Sequence, residues 1–338
     1  MDVSFMRSNL RLSVVAMNDP IKFAKRDAAD ASSEITGPRT KARPPFTMKD
    51  VDDSLEDNQT EDEYDIASLL PLHSAVVSWK SPSHANEDRA IEYRGPRFSL
   101  FAVIDGHGGD KASEYVKNHL VRVIDEETDL SETTLRHATL VLERRFCAIA
   151  ARENEFSGAC FVALVLLEDD SRTRFVINCG DCRISALERG GLRPTKREYK
   201  ALSTDHKASC PLEKARIMRA GGNVIMDRVA GVLAPSRSIG DLDMKMPGME
   251  GWVIADPEIT EDTFCPDSLY VLATDGVWDV MNNRDVLCLA ETSWLDNQVA
   301  HDGTIGCVSA CEAIAQESVS RGSRDDITCI VIRTGDWD

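Results

Sequence analysis

The feature that most constrains this chain is the stretch FVINCGDCRISAL, residues 175–187. RFVINC and RISAL both read as strands, rich in β-branched and apolar residues, and little more than Gly180–Asp181 separates them. A parallel connection needs a crossover of a dozen residues or more, so so short a link predicts a hairpin and an antiparallel sheet. A purely parallel, doubly wound fold is excluded. Further short apolar runs, SAVVSW, FSLFAVID, CFVALVLL, LYVLATD and ITCIVIR, also read as strands. Between them, Asp110–Glu126 places Ala112, Tyr115, Val116, His119, Leu120 and Val123 on one helical face. Pro211 opens a second helix that Gly221–Gly222 closes, and Asn283–Asn297 and Thr304–Ser320 read as two more. The expected class is α+β.

The same stretch holds Cys179 and Cys182 in a Cys-x-x-Cys pair. A redox pair of this kind opens a helix in a thioredoxin-like unit, and a zinc site needs a second pair of ligands; neither context is present. The ten cysteines are scattered with no secretory signal ahead of them, and are expected to be reduced thiols. Cys307 and Cys311, four residues apart, read as packed side chains on one helix face. A net charge of −18 opposes nucleic-acid binding, and no apolar run is long enough to span a bilayer. Residues 1–65 lack apolar periodicity and end in the acidic run KDVDDSLEDNQTEDEYD, so they are expected to form a disordered extension. The globular domain is expected over residues 66–336. The weakly basic start MRSNLRLSVVAM leaves organelle targeting open beside a cytoplasmic or nuclear location.

The aspartates carry the chemistry. FAVIDGHGG ends an apolar strand on Asp105, LYVLATDGVWD ends one on Asp275, RFVINCGD places Asp181 after a third, and Asp325–Asp326 lead into ITCIVI. One such acid is an ordinary turn former. Four at strand ends point to acids gathered around a cation, because an uncompensated charge near a core is costly. Oxygen ligands, with His107 the one histidine close by, favour Mg²⁺ or Mn²⁺ over zinc. Two such ions can activate water and clamp a phosphoryl oxygen, so the pattern points to metal-assisted phosphoester hydrolysis.

At this level of detail the chain resembles the metal-dependent protein phosphatases of type 2C. The matching blocks run in order from ANEDRA through FAVIDGHGG, FSGACFVALVL, NCGDCRISAL, LSTDHKASCPLEKARIMRAGGNV, RVAGVLAPSRSIGDLDMK, DPEI and LATDGVWDV to SRDDITCIVI, over roughly residues 75–333. The resemblance implies a sandwich of two antiparallel β-sheets flanked by α-helices, with the metal site at one edge. It implies that Asp105 bridges two ions, that the Gly106 carbonyl ligates one, and that Asp275 and Asp325 complete the other. Glu87, with Asp88, would hold metal-bound water, and His107 would protonate the leaving seryl or threonyl oxygen. Asp181, with Asp279 nearby, matches a third, weaker site. Residues 205–241 would form a flap beside the active site. Phosphoprotein substrates and a monomeric state are the corresponding expectations.

Departures from the family pattern are specific. Ser83 stands where an arginine usually grips the substrate phosphate, and Lys80 is the nearest substitute, without an arginine's bidentate fork. Cys160 and Cys182 replace small hydroxyl residues, and Asp326 replaces an asparagine. Ser83 favours one alternative, a pseudophosphatase or phosphoprotein-binding module with a weakened grip. A cysteine-phosphatase reading of Cys210 and Arg216 in HKASCPLEKAR fails because Pro211 lacks an N–H and Glu213 would repel phosphate. A calcineurin-like site would need further histidine ligands in a GNHE-like block that the sequence lacks. The glycine spacing in HGGDKAS does not match a nucleotide-binding loop.

Overall fold

In the computed structural model, residues 72–335 are described apart from 170, 190–196, 266 and 297–302. The expected N-terminal extension, residues 1–65, lies outside them. The first half of the domain contains β1 (Leu72–Trp79), β2 (Arg89–Arg94), β3 (Phe98–His107), α1 (Lys111–Asp125), α2 (Glu132–Glu153), β4 (Gly158–Leu167) and β5 (Thr173–Cys179). There follow β6 (Arg183–Arg189), β7 (Arg197–Ala201), α3 (Pro211–Arg219), β8 (Val224–Ile225), β9 (Arg228–Val229) and β10 (Ile239–Gly240). The chain closes with β11 (Glu258–Thr263), β12 (Ser268–Ala273), α4 (Asp275–Trp278), α5 (Asn283–Asp296), α6 (Gly303–Ser320) and β13 (Ile327–Thr334).

Apart from β8 and β9, which pair only with each other, these strands make two antiparallel sheets. One has the order β1-β13-β12-β6-β7, the other β11-β5-β4-β3-β2, with β10 added against β4. Three apolar layers follow from this stacking. Phe101, Val103, Val162, Leu164, Ile184, Tyr270, Leu272 and Ile330 fill the space between the sheets. Leu100, Ile104, Phe161 and Ile177 face the other way, onto Val116, Leu120, Leu135 and Leu142 of α1 and α2. Val271 and Val331 pack outward against Leu287, Ala310 and Ile314 of α5 and α6. Because β3, β4, β12 and β13 are covered on both faces, they read as continuous apolar runs rather than alternating ones. The order helix, sheet, sheet, helix is the expected α+β sandwich.

The hairpin expected at Gly180–Asp181 is not there. β5 pairs with β4 and β11 in one sheet, while β6 pairs with β12 and β7 in the other. The link therefore carries the chain from sheet to sheet. Cys179 belongs to the layer under α1 and α2, and Cys182 to the layer between the sheets. Gly180 makes the step at φ +122°, and a Cβ there would meet the Cys160 Sγ at 2.4 Å. Both strands are buried on both faces, so no alternation in their sequence distinguishes a hairpin from a crossing. The antiparallel character survives, carried by other pairings.

The helix expected over Asp110–Glu126 forms as α1, and it buries Ala112, Val116, Leu120 and Val123 as its spacing requires. Tyr115 and His119 flank that face and stack on each other, ring centroids 4.0 Å apart. The long helix α2 was not anticipated; Ser131 starts it with a capping box closed by Thr134. The segment 205–241 contains α3 and the β8–β9 hairpin over a small core of Ala208, Ile217 and Val229, then rejoins a sheet at β10.

Candidate active site

Antiparallel pairing brings the acids to one end of the sandwich. Asp105 lies near the end of β3, Asp275 opens α4 after Thr274 links it to β12, and Asp325 lies two residues before β13. Asp88 precedes β2, and Asp181 sits on the link between β5 and β6. Asp88 and Asp181 are buried, Asp105, Asp275 and Glu87 half-buried, and Asp279 and Asp325 exposed. Gly106 has no room for a side chain: a Cβ would meet the Glu87 carbonyl at 2.5 Å and the Ser113 Oγ at 2.7 Å. That close approach brings the Glu87 backbone against β3.

Burial and mutual repulsion raise these carboxyls together. Asp105 is raised well above the usual carboxylate range, first by loss of water and then by Asp275, Asp88, Asp181 and Asp325. Asp275 is raised the same way, by burial and then by Asp181, Asp279 and Asp325, with Lys207 opposing. Asp88 is pushed up to about 7 by burial, despite hydrogen bonds to Thr328 and Thr274. Asp181 is raised chiefly by burial. Such a group of carboxylates holds protons when alone and releases them to a divalent cation.

The donor chemistry suits hard cations, although among the described residues no three of these groups stand together as a ready-made ligand set. They offer carboxylate oxygens from separate elements, and the Asp181 Oδ2 is buried without a hydrogen-bond partner. One protein cation already stands at that end. Lys207 Nζ donates to the Asp279 Oδ1 at 2.6 Å and lies 3.9 Å from the Asp181 Oδ2. Burial works against its charge, but the bond to Asp279 and the charges of Asp181 and Asp275 hold its pKa above the usual lysine value. Lys207 thus occupies the two acids assigned by resemblance to the third, weaker ion. The sequence quoted it only inside the block LSTDHKAS, and nothing in that block signals a contact with Asp279, 72 positions away.

His107 is held by a further acid, Asp241, while the charges of Asp181 and Glu87 also act on it. Its Nε2 lies 2.9 Å from each carboxylate oxygen of Asp241, which is buried and accepts a hydrogen bond from the Ser238 hydroxyl. Burial opposes the imidazolium charge, but the Asp241 bond and charge outweigh it and raise the His107 pKa. Asp241 and Ser238 were not singled out from the sequence.

The phosphate-gripping position is occupied differently from the family pattern. Ser83 is exposed, and its hydroxyl is hydrogen-bonded to Ser81 Oγ at 2.6 Å; Lys80 is exposed. Asp326 clamps this loop, accepting from the Ser81 N–H at 2.5 Å and the Glu87 N–H at 2.7 Å. His84, on the same loop, lies 3.8 Å from Asp326 and 4.0 Å from Asp325. The cysteine-phosphatase alternative fails in space as well: Arg216 is bound to Glu213 and to the carbonyls of Gly251, Ser236 and Trp252. Burial raises Cys160 and Cys182 well above the usual thiol range, which keeps both protonated beside the acids.

With this geometry in place, comparison with known proteins decides the family. The sequence profile of protein phosphatase 2C matches residues 80–327. The chain belongs to the protein phosphatase 2C family. Among its relatives, the probable protein phosphatase 2C 32 of rice is 33% identical over 253 residues, covering 70% of this chain and 58% of the relative. Human protein phosphatase 1A is 32% identical over 252 residues, covering 70% and 62%. The chain thus spans about 60% of the length of these curated relatives. A crystal structure of a serine-threonine phosphatase 2C from Toxoplasma gondii superposes with a TM-score of 0.63 at 23% identity, covering 78% of this chain and 96% of that one. At that identity the likeness establishes the fold, and it agrees with the two-sheet sandwich.

Proposed function

We propose that this chain hydrolyses phosphoserine and phosphothreonine in proteins with the help of Mg²⁺ or Mn²⁺, without a covalent phosphoenzyme. The observation that carries the reading is the convergence of Asp105, Asp275, Asp181 and Asp88 at one sandwich end, each raised by burial and by its neighbours. Asp105, the Gly106 carbonyl, Asp275 and Asp325, with Glu87 and Asp88 behind them, would hold two ions; Asp181 and Asp279 would hold a weaker third. When bound, the ions supply an activated water and neutralise phosphoryl charge. His107 then gives its proton to the departing seryl or threonyl oxygen, a group too basic to leave unprotonated. The surrounding β3, β12 and β13 backbones fix these groups before substrate arrives, as electrostatic catalysis requires.

Turnover of p-nitrophenyl phosphate and of a phosphothreonine peptide tests the proposal. Activity should require added Mn²⁺ or Mg²⁺ and disappear with chelator. No turnover at any metal concentration, with phosphopeptide binding retained, would instead favour a phosphoprotein-binding module. The specific observation behind that second reading is Ser83, whose hydroxyl is bonded to Ser81 where a phosphate-binding guanidinium is usual.

A further inference from the structure

We propose that Asp241 is the positioning residue for His107, orienting its ring so that Nδ1 is the nitrogen presented to the leaving oxygen. The proposal rests on the general-acid reading of His107 given above. Both Asp241 carboxylate oxygens lie 2.9 Å from His107 Nε2. With Nε2 held there, the free edge of the imidazole is Nδ1. A carboxylate bound to one ring nitrogen fixes both the tautomer and the rotation of the other, and keeps an imidazolium stable once formed.

The local structure is built around this contact. β10 adds two residues to the edge of β4, pairing Gly240 with Gly158, and the same Gly158 lies opposite His107 in the β3–β4 register. Asp241 and His107 therefore meet across Gly158 from its two sides. A Cβ on Gly158 would stand 2.3 Å from His107 Nε2 and 2.2 Å from the Asp241 Oδ2, so only glycine leaves room for the pair. Asp241 itself sits in the left-handed region, φ 51° and ψ 50°, where aspartate and asparagine are tolerated better than most residues. That conformation is held from several directions. The Asp241 N–H donates to the Ser157 carbonyl at 3.1 Å. The Gly240 N–H donates to Glu143 on α2 at 2.8 Å, and Lys245 ties Glu143 to the Ser238 carbonyl. The Ser238 hydroxyl donates to the Asp241 Oδ2. A buried carboxylate gripped this firmly and aimed at one imidazole nitrogen has an orienting task.

The leaving group provides the test. A phosphoserine peptide expels an alkoxide that needs a proton, whereas p-nitrophenyl phosphate expels a stable phenolate that does not. Turnover of both substrates is compared for the wild type, His107→Ala, Asp241→Asn and Ser238→Ala, each in saturating Mn²⁺. Asp241→Asn keeps the size and the left-handed tolerance of aspartate but presents a different hydrogen-bonding face. It should lower kcat on the peptide ~10–100-fold with KM little changed, and lower the p-nitrophenyl phosphate rate much less. Ser238→Ala, a milder change, should produce a smaller split in the same direction, and decides the matter if Asp241→Asn does not fold. Equal losses on both substrates, or wild-type rates on both, would overturn the role of Asp241. If His107→Ala itself shows no split, the general-acid reading fails; if His107→Ala splits and Asp241→Asn does not, only the positioning role falls.

Discussion

Strands β5 and β6 each carry charge at both ends, and the two ends are managed in opposite ways. At the start of β5 and the end of β6, buried Arg174 pairs with buried Glu188, and also donates to Asp262 at 2.9 Å and to the Tyr270 hydroxyl at 3.1 Å. Lys200 completes that group with a 2.6 Å contact to Glu188. At the other end of the same strands lie Asp181 and its neighbours, where acids face acids and one lysine partly offsets them. The first cluster is neutralised by the protein and has nothing left to bind. The second leaves its charge open to an outside cation. Buried charge alone therefore does not mark a functional site; buried charge of one sign does.

The contrast can be broken at either end. Glu188→Ala strands Arg174 in the core without its main partner, and removing one member of a buried pair costs about 3–5 kcal/mol. Thermal or urea unfolding should show that loss, while activity per folded molecule stays near the wild type. Asp105→Asn should do the reverse. Metal-dependent turnover should fall by ~10²–10³-fold or more, the scale on which a single aimed charge-stabilising group acts. The metal-free variant should unfold no earlier than the wild type, because one repelling acid is gone. Near-normal rates in Asp105→Asn would remove the assignment of the acid end.

A gentler perturbation is pH in the absence of metal. Asp88 is raised to about 7 in the folded chain, so below that the folded state keeps a proton that the unfolded chain has lost. Its contribution to stability is full below the ordinary carboxylate range and is lost as pH rises through about 7. The melting temperature of the chelated protein should accordingly fall as pH rises from the ordinary carboxylate range to about 7 and level off above it, and saturating Mn²⁺ should flatten the profile. An identical slope with and without metal would count against the acids as ligands. The smallest expected effect is Ser83→Arg, which should lower KM for a phosphopeptide by several-fold, the scale of one exposed charge-assisted contact. An unchanged KM would assign the phosphate grip to another residue.

How much was legible depended on burial. The central strands β3, β4, β5, β12 and β13 announce themselves as apolar runs because both faces are covered. Besides the two-residue β8, β9 and β10, the strands the sequence did not reveal, RAIEYR, REYKA and EITEDT, are the edges β2, β7 and β11, where polar residues interrupt the pattern. At Gly180–Asp181 the end of the strand RFVINC was read correctly, but the hairpin expected there was not. Where the chain goes next was not readable, because it is set by partners far along the sequence, β11 for β5 and β12 for β6. Site residues with a local signature, an acid after an apolar run, could be named in advance. Lys207 and Asp241 could not, since their meaning lies in contacts to Asp279 and His107 across 72 and 134 positions.

The step at Gly180–Asp181 also makes the acid end a gauge of alignment. Asp105 rides on one sheet and Asp275 on the other, while Asp181 hangs on the tie between them. If one sheet slips over its neighbour by a fraction of an ångström, the three carboxylates change their spacing together. A void opened deep in the inter-sheet layer, far from any acid, would then register as weakened ion affinity well before the sandwich comes apart.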